Sequence, residues 1–403
     1  MIRYTADWVL PIAGPVLQPG RVDVVGELVV GVGEIDAAAP SGTKVVELGS
    51  RAVLPALVNA HTHLELSGLR NCVPPAPSMP VWVDQLLFRR AEAGPADCDE
   101  IEQAVTAARA SGTGLFGDIG NTLEAMPVLV TSSVAARLFY EVLAFSDERA
   151  VSVVGSAVED LCAVVQTSKF RVGLAAHSPF SVGRAAFAAL DQAIRTTIFG
   201  PRSIHLAESQ EELEFLRTGG GPWRDLLERL ERWDPGWVVP GCGPVEYLDR
   251  LGWLTSKLIA VHGVQLTDTE LELLAARGAT LVTCPRSNVW TGVGYPPIER
   301  FLRSGIRLAV GTDSLASTPD LNLFAELELM RRLAPEVPAH QLLECATVAG
   351  AEALGFSDMF GTITPGRPAA LIGVNVPVGV DDVEEYLLSG IEPDQVLWFH
   401  QES

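Results

Sequence analysis

His61 and His63 stand one residue apart at the end of the apolar run Pro55-Ala56-Leu57-Val58-Asn59-Ala60. On a strand, residues i and i+2 share a face, so both imidazoles would aim at one point beyond the strand's C-terminal end. Two converging imidazoles can hold a divalent metal ion, although two ordinary histidines in a turn would read the same way. The other histidines decide between these readings. His177, His205 and His262 each follow a later apolar run, as does Asp313, and of the seven histidines only His340 and His400 fall elsewhere. His61, His63, His205 and Asp313 together offer three imidazoles and a carboxylate, a donor set that suits one Zn2+ and admits Fe2+. An open position on such an ion would hold water and lower its pKa from about 15.7 to roughly 7.

His205-Leu206-Ala207-Glu208 puts a carboxylate three residues after a ligand, where a strand turns into a loop. From there Glu208 can lean back over the metal and carry a proton between water and a leaving group. Its plainer role is a solvated loop glutamate beside Gln210, Glu211 and Glu212. His262 could orient the attacking water and stabilise charge developing on it, or simply be a hydrogen-bonded core histidine.

The elements that must position these groups are short apolar runs, each followed by a helical stretch. The runs are 54–59, 114–118, 137–143, 171–176, 202–206, 257–261, 279–284 and 306–311. Near-continuous apolar strands alternating with helices predict a parallel sheet covered on both faces, and eight such units predict a closed barrel. Barrel enzymes carry their chemistry at the C-terminal ends of the strands, which is where the histidines fall. Residues 1–54 and 360–403 instead have the Gly-punctuated, β-branched composition of short strands and turns. The reading is an α/β chain: a (β/α)8 barrel over 55–359, with a small β-sandwich domain formed by both termini.

A hydrophobic content of 48% and a charged content of 20% allow a large core and argue against disorder. A net charge of −21 argues against nucleic acid and anionic membranes as partners, since both demand basic patches. The six cysteines are scattered with no CxxC pair, as expected of a reduced compartment. The apolar segment Trp8–Leu17 is too short to span a bilayer and makes a poor signal peptide. These features predict a cytoplasmic protein acting on a small molecule, with its oligomeric state left open.

Taken in order, Asn59-Ala60-His61-Thr62-His63, His205-Leu206-Ala207-Glu208-Ser209, Val261-His262-Gly263, Cys284-Pro285-Arg286-Ser287-Asn288 and Gly311-Thr312-Asp313-Ser314 resemble the motifs of the amidohydrolase superfamily. The resemblance covers nearly the whole chain. It points to the subtype with one metal ion, which holds nucleobase and nucleoside deaminases and triazine chlorohydrolases. Lys169 and Lys257 do not end strands, so neither suits a carbamate bridge between two metals. The resemblance implies that Asp313 takes a proton from the attacking water. It implies that Glu208 protonates a ring nitrogen and His262 holds the nucleophile. It further implies that His177 faces substrate and that Ser287 and Asn288 line the same pocket. Trp82, in the stretch after the first strand, is expected to stack on a base or to pack a helix, and Asp84 to touch a ribose hydroxyl. The chain departs from the common Ala-Asp-Leu near the C-terminus, having Ala369-Ala370-Leu371. Within the subtype it is most similar to the aminodeoxyfutalosine deaminases of menaquinone biosynthesis, which implies water attack at C6 of an adenine ring with loss of ammonia. Deamination of S-adenosylhomocysteine, 5′-methylthioadenosine or guanine, triazine hydrolysis, and an inactive metal-binding scaffold are the alternatives.

Overall fold

The computed structural model describes residues 1–35, 38–198 and 200–399, so His400 lies outside the described residues. Six strands precede the barrel: β1 (Ile2–Ala6), β2 (Trp8–Val9), β3 (Gly20–Val25), β4 (Leu28–Glu34), β5 (Lys44–Glu47) and β6 (Arg51–Pro55). The next eight are β7 (Leu57–Thr62), β8 (Thr113–Gly120), β9 (Ala135–Val142), β10 (Phe170–Ala176), β11 (Arg202–Leu206), β12 (Leu258–His262), β13 (Thr280–Thr283) and β14 (Arg307–Val310). After the last barrel helices come β15 (Leu371–Asn375) and β16 (Val396–Trp398).

Strands β7 to β14 form one parallel sheet in sequence order. Helices between them cover its outer face, and side chains fill its interior, so the strands are buried almost throughout. The sheet closes where the backbone nitrogens of Thr312 and Asp313 both donate to the His61 carbonyl at 3.1 Å. This seam needs Gly311. A Cβ there would lie 2.6 Å from the His61 carbonyl oxygen, closer than real contacts allow. The glycine therefore lets the chain that carries Asp313 press against the strand that carries His61.

The terminal segments form two further sheets. One, in the order β4-β3-β1-β5, uses N-terminal residues alone; the other, β16-β15-β6-β2, interleaves strands from both ends of the chain. Tyr4, Val22, Val24, Val53, Leu371 and Phe399 make a small apolar core between them, with the Tyr4 and Phe399 rings stacked at 5.3 Å.

Two stretches divide. The apolar run 54–59 is two strands, because Ala56 bonds to Ala370 while Leu57 bonds to Gly112. The chain leaves the small sheet and enters the barrel within a residue, and burial on both sides of the junction hides it from the apolar pattern. The helical stretch 339–354 breaks into Ala339–Cys345 and Val348–Leu354 at Thr347, which has non-helical φ and ψ of −135° and −95°. Among the described residues no helix is long and apolar enough to cross a membrane.

Candidate active site

His61 and His63 end β7 on one face, and His205 ends β11 four strands round the ring. The Nε2 atoms of His63 and His205 are 3.3 Å apart. Asp313 Oδ1 lies 3.5 Å from His63 Nε2 and 3.8 Å from His61 Nε2. Ligands about 2.1 Å from a tetrahedral ion stand roughly 3.4 Å from one another; donors of the three histidines all lie within 4.8 Å of each other, and Asp313 approaches from the His61–His63 side. His61 is wholly buried, yet neither ring nitrogen makes a hydrogen bond. Buried polar atoms without partners are costly, and a cation at the centre of the cluster would satisfy this one. Burial also keeps the imidazoles neutral, as ligands must be. It drives His61 well below the usual histidine value, and it takes His63 and His205 down to about 4. The residues present therefore fit a single divalent ion.

The carriers of these side chains are fixed from behind. His205 Nδ1 donates to the His177 carbonyl at 2.8 Å, which turns Nε2 inward. Ser287 and Ser317 donate to Asp313 Oδ2 at 2.5 and 3.1 Å, leaving Oδ1 for an ion. Ala207, His262 and Asp313 have φ of 50°, 73° and 59°, a left-handed conformation that non-glycine residues avoid. Three such residues at three strand ends mark where the fold stores strain to aim side chains.

Glu208 is buried rather than solvated, with 4% of its surface exposed. Its Oε2 stands 3.6 Å from His262 Nε2. Glu212 makes this possible: its two carboxylate oxygens accept from the backbone nitrogens of Ala207 and Glu208 at 2.9 and 3.1 Å. Burial, reinforced by Asp313 and Glu212, raises the Glu208 carboxyl well above the ordinary range, which favours its acid form. His262 is held neutral, first by burial and then by the neighbouring histidines. Asn288 Nδ2 donates to His262 Nδ1 at 2.9 Å, and this pairing assigns the ring hydrogen to Nε2, which faces Glu208.

Two outer groups secure this arrangement. Arg286 donates from its backbone nitrogen and Nε to the two oxygens of Glu326 at 3.0 and 2.7 Å, fixing the start of helix Pro285–Trp290, which carries Ser287 and Asn288. Glu326 is fully buried. Arg286→Ala strands that charge, and chemical denaturation should register a loss of about 3–5 kcal/mol. Asp118 ends the second run, and its Oδ1 accepts from the backbone nitrogen of Leu64, just after His63. Burial raises Asp118 to about 7 from 3.8. The folded chain thus holds a proton that the unfolded chain releases near 3.8, and this contribution to stability is lost as pH rises toward 7. Asp118→Asn keeps the acceptor and removes the titration. Its stability should fall less than the parent's between pH 4 and pH 8, by on the order of 2–4 kcal/mol in urea titrations.

The cluster forms the floor of a cavity of about 510 Å³. Trp82 and His177 line it, as do Phe180 and Trp223, whose rings stack at 4.3 Å. His177 is anchored through Nδ1 to the Ser181 hydroxyl at 2.6 Å. Three expected substrate contacts are placed differently. Asp84 lies outside this cavity on an exposed face, ion-paired with Arg229. The reason is helical phase: two residues after inward-facing Trp82, the helix Met79–Ala93 has turned about 200°. Ser287 and Asn288 do not line the cavity; the Ser287 hydroxyl donates to Asp313 and Asn288 Nδ2 to His262 beneath it.

The residues not singled out from the sequence are Glu212, Asn121 and Glu141. Glu141 is a carboxylate inside the apolar strand β9, at the one strand end where no functional residue was sought. A charged residue in such a run was a readable signal.

A parallel (β/α)8 barrel with three histidines, an aspartate and a buried glutamate converging at its C-terminal mouth defines a metal-dependent hydrolase. Residues 52–393 match the model described as "Amidohydrolase family", and the chain belongs to that family. An aminodeoxyfutalosine deaminase of Deinococcus radiodurans is 33% identical over 358 residues, covering 85% of this chain and 83% of that one. A 5-methylthioadenosine/S-adenosylhomocysteine deaminase of Syntrophobacter fumaroxidans is 29% identical over 385 residues, covering 89% and 80%. Among solved structures, the Helicobacter pylori aminofutalosine deaminase in complex with methylthio-coformycin superposes with a TM-score of 0.84 at 26% identity, covering 96% of this chain and 95% of that one.

Proposed function

We propose that this chain is a zinc-dependent hydrolytic deaminase of an adenine nucleoside, with aminodeoxyfutalosine as its substrate. The observation that carries the chemistry is buried Glu208, its Oε2 3.6 Å from His262 Nε2 beside the ligand cluster. His61, His63, His205 and Asp313 would hold the ion, which when bound supplies Lewis acidity and an acidified water.

The side chains divide the remaining work. Asp313, raised by burial, is a stronger base than a solvated carboxylate and accepts a proton from the attacking water. His262 donates its Nε2 hydrogen to the attacking oxygen and steadies the charge that develops there. Glu208 gives its proton to the ring nitrogen beside C6. Asp313 then passes the proton it took to the amino group as the C6–N bond breaks, and the C6 hydroxyl returns a proton to Glu208, so ammonia leaves, a hypoxanthine base remains and both carboxyls end as they began. The walls of the cavity exclude bulk water, which strengthens each of these interactions.

Substrate choice rests on the far part of the cavity. There Phe145, Phe180, Trp223 and Leu227 make an apolar wall, and exposed Arg149 and Arg232 line the cavity together with exposed Glu148 and Glu231. The aromatic wall supports a long, flat arm, such as the carboxyphenyl arm of aminodeoxyfutalosine, over a bare methylthio cap. The names of the other relatives favour the methylthioadenosine or S-adenosylhomocysteine reading. Incubation with aminodeoxyfutalosine, 5′-methylthioadenosine, S-adenosylhomocysteine, adenosine and guanine, with ammonia as the readout, separates them. The highest kcat/KM is expected for aminodeoxyfutalosine. Turnover of guanine or a triazine alone would overturn the nucleoside reading.

A further inference from the structure

The hydrogen on His205 Nδ1 has two acceptors beside it. The His177 carbonyl oxygen is 2.8 Å away, and Oε1 of Glu141 is 3.3 Å away. Glu141 is 5% exposed, and its Oε1 makes no hydrogen bond among the described residues, standing within ion-pair distance of His205 Nδ1. The other oxygen, Oε2, accepts from Asn121 Nδ2 at 2.8 Å. The Asn121 carbonyl in turn accepts from Arg90 Nη1 at 3.3 Å, which settles which way its amide faces. Arg90 belongs to helix Met79–Ala93 over the cavity and is tied to Glu65 Oε1 at 3.0 Å. A chain of polar contacts thus runs from the helix above the substrate cavity, through Arg90, Asn121 and Glu141, to a histidine of the ligand cluster.

We propose that Glu141 is a positioning residue of the metal centre. Its Oε1 stands 3.3 Å behind His205 Nδ1, whose hydrogen goes to the His177 carbonyl, and Asn121 holds it there. A backbone carbonyl alone would fix the tautomer of His205. Although burial raises the Glu141 carboxyl to about 8, a cation at Nε2 favours its ionised form, and that charge behind the ring makes Nε2 a stronger donor and offsets the charge of the ion. Glu141, His177 and His205 also lie close enough together to be taken for a second ion site. However, Nδ1 of His205 is committed to the His177 carbonyl and Nδ1 of His177 to Ser181, so the cluster reads as support for one ion.

The inference rests on the metal reading above but not on the identity of the substrate. The test compares the parent chain with Glu141→Gln, Asn121→Ala and the double variant, all full-length. Zinc affinity is measured by competition with a chromogenic chelator, and folding of the metal-free proteins by thermal melting. Glu141→Gln keeps the size and the Asn121 contact but loses the charge. Its zinc Kd is expected to rise about 10- to 100-fold with the metal-free melting temperature unchanged. Asn121→Ala should raise Kd by less, and the double variant should be no weaker than Glu141→Gln, since both act through one contact. Should Glu141→Gln fail to fold, the Asn121→Ala affinity decides. Affinities within about twofold of the parent, losses that multiply in the double variant, or two competing ions per chain would overturn the proposal. A parent that binds no zinc would instead refute the metal reading itself.

Discussion

Glu208→Gln should lower kcat by roughly 10²- to 10⁴-fold while leaving zinc content and folding unchanged. Glutamine keeps the shape of the side chain, and Glu208 is not among the converging metal donors. What glutamine cannot do is give up a proton and take one back. Burial raises the Glu208 carboxyl well above the ordinary carboxylate range, which favours the acid form. The parent rate should therefore fall as pH rises through the elevated value, because the proton to be donated is gone. In Glu208→Gln that alkaline decline should vanish along with most of the rate. Steady-state assays of adenine-to-hypoxanthine conversion across pH read both effects. An unchanged kcat would mean that the proton reaches the ring from another group.

Asp313→Asn should be at least as damaging, with a loss of about 10³-fold or more, because the residue serves two tasks at once. Its Oδ1 approaches His61 and His63 where an ion would sit, and its Oδ2 is held by Ser287 and Ser317. Removing the charge weakens the ion's hold and removes the base together. The two losses separate on adding zinc. Excess metal should restore occupancy in Asp313→Asn, as measured by metal analysis, without restoring the rate. Recovery of full activity at saturating zinc would show Asp313 to be a ligand only.

The barrel was legible because parallel strands covered on both faces read as unbroken apolar runs, and a rare residue type at their ends stands out against them. His61, His63, His205, His262 and Asp313 needed nothing more than strand alternation and the rule that barrel chemistry sits at C-terminal strand ends. Residues beyond the strands were harder to place. Asp84 and Trp82 are neighbours in sequence, yet helical phase sends one to solvent and the other to the cavity. Glu212 sits in a run of acidic and amide side chains that looks solvated, but the first turn of helix Gln210–Thr218 directs it inward to cap the Ala207–Glu208 backbone. Ser287 and Asn288 belong to a segment at the site, but they reach Asp313 and His262 from below, so their partners are protein groups. Such pairings depend on the path of loops between elements, which no apolar pattern records.

The central claim is that His61, His63, His205 and Asp313 hold one ion on which deamination depends. Stripping the protein of metal and titrating zinc back, while following hypoxanthine formation from aminodeoxyfutalosine, tests it most directly. Activity should be absent at the start, rise in proportion to added zinc and level off at one ion per chain. Undiminished turnover by the metal-free protein, or full zinc occupancy with no hypoxanthine formed, would contradict it.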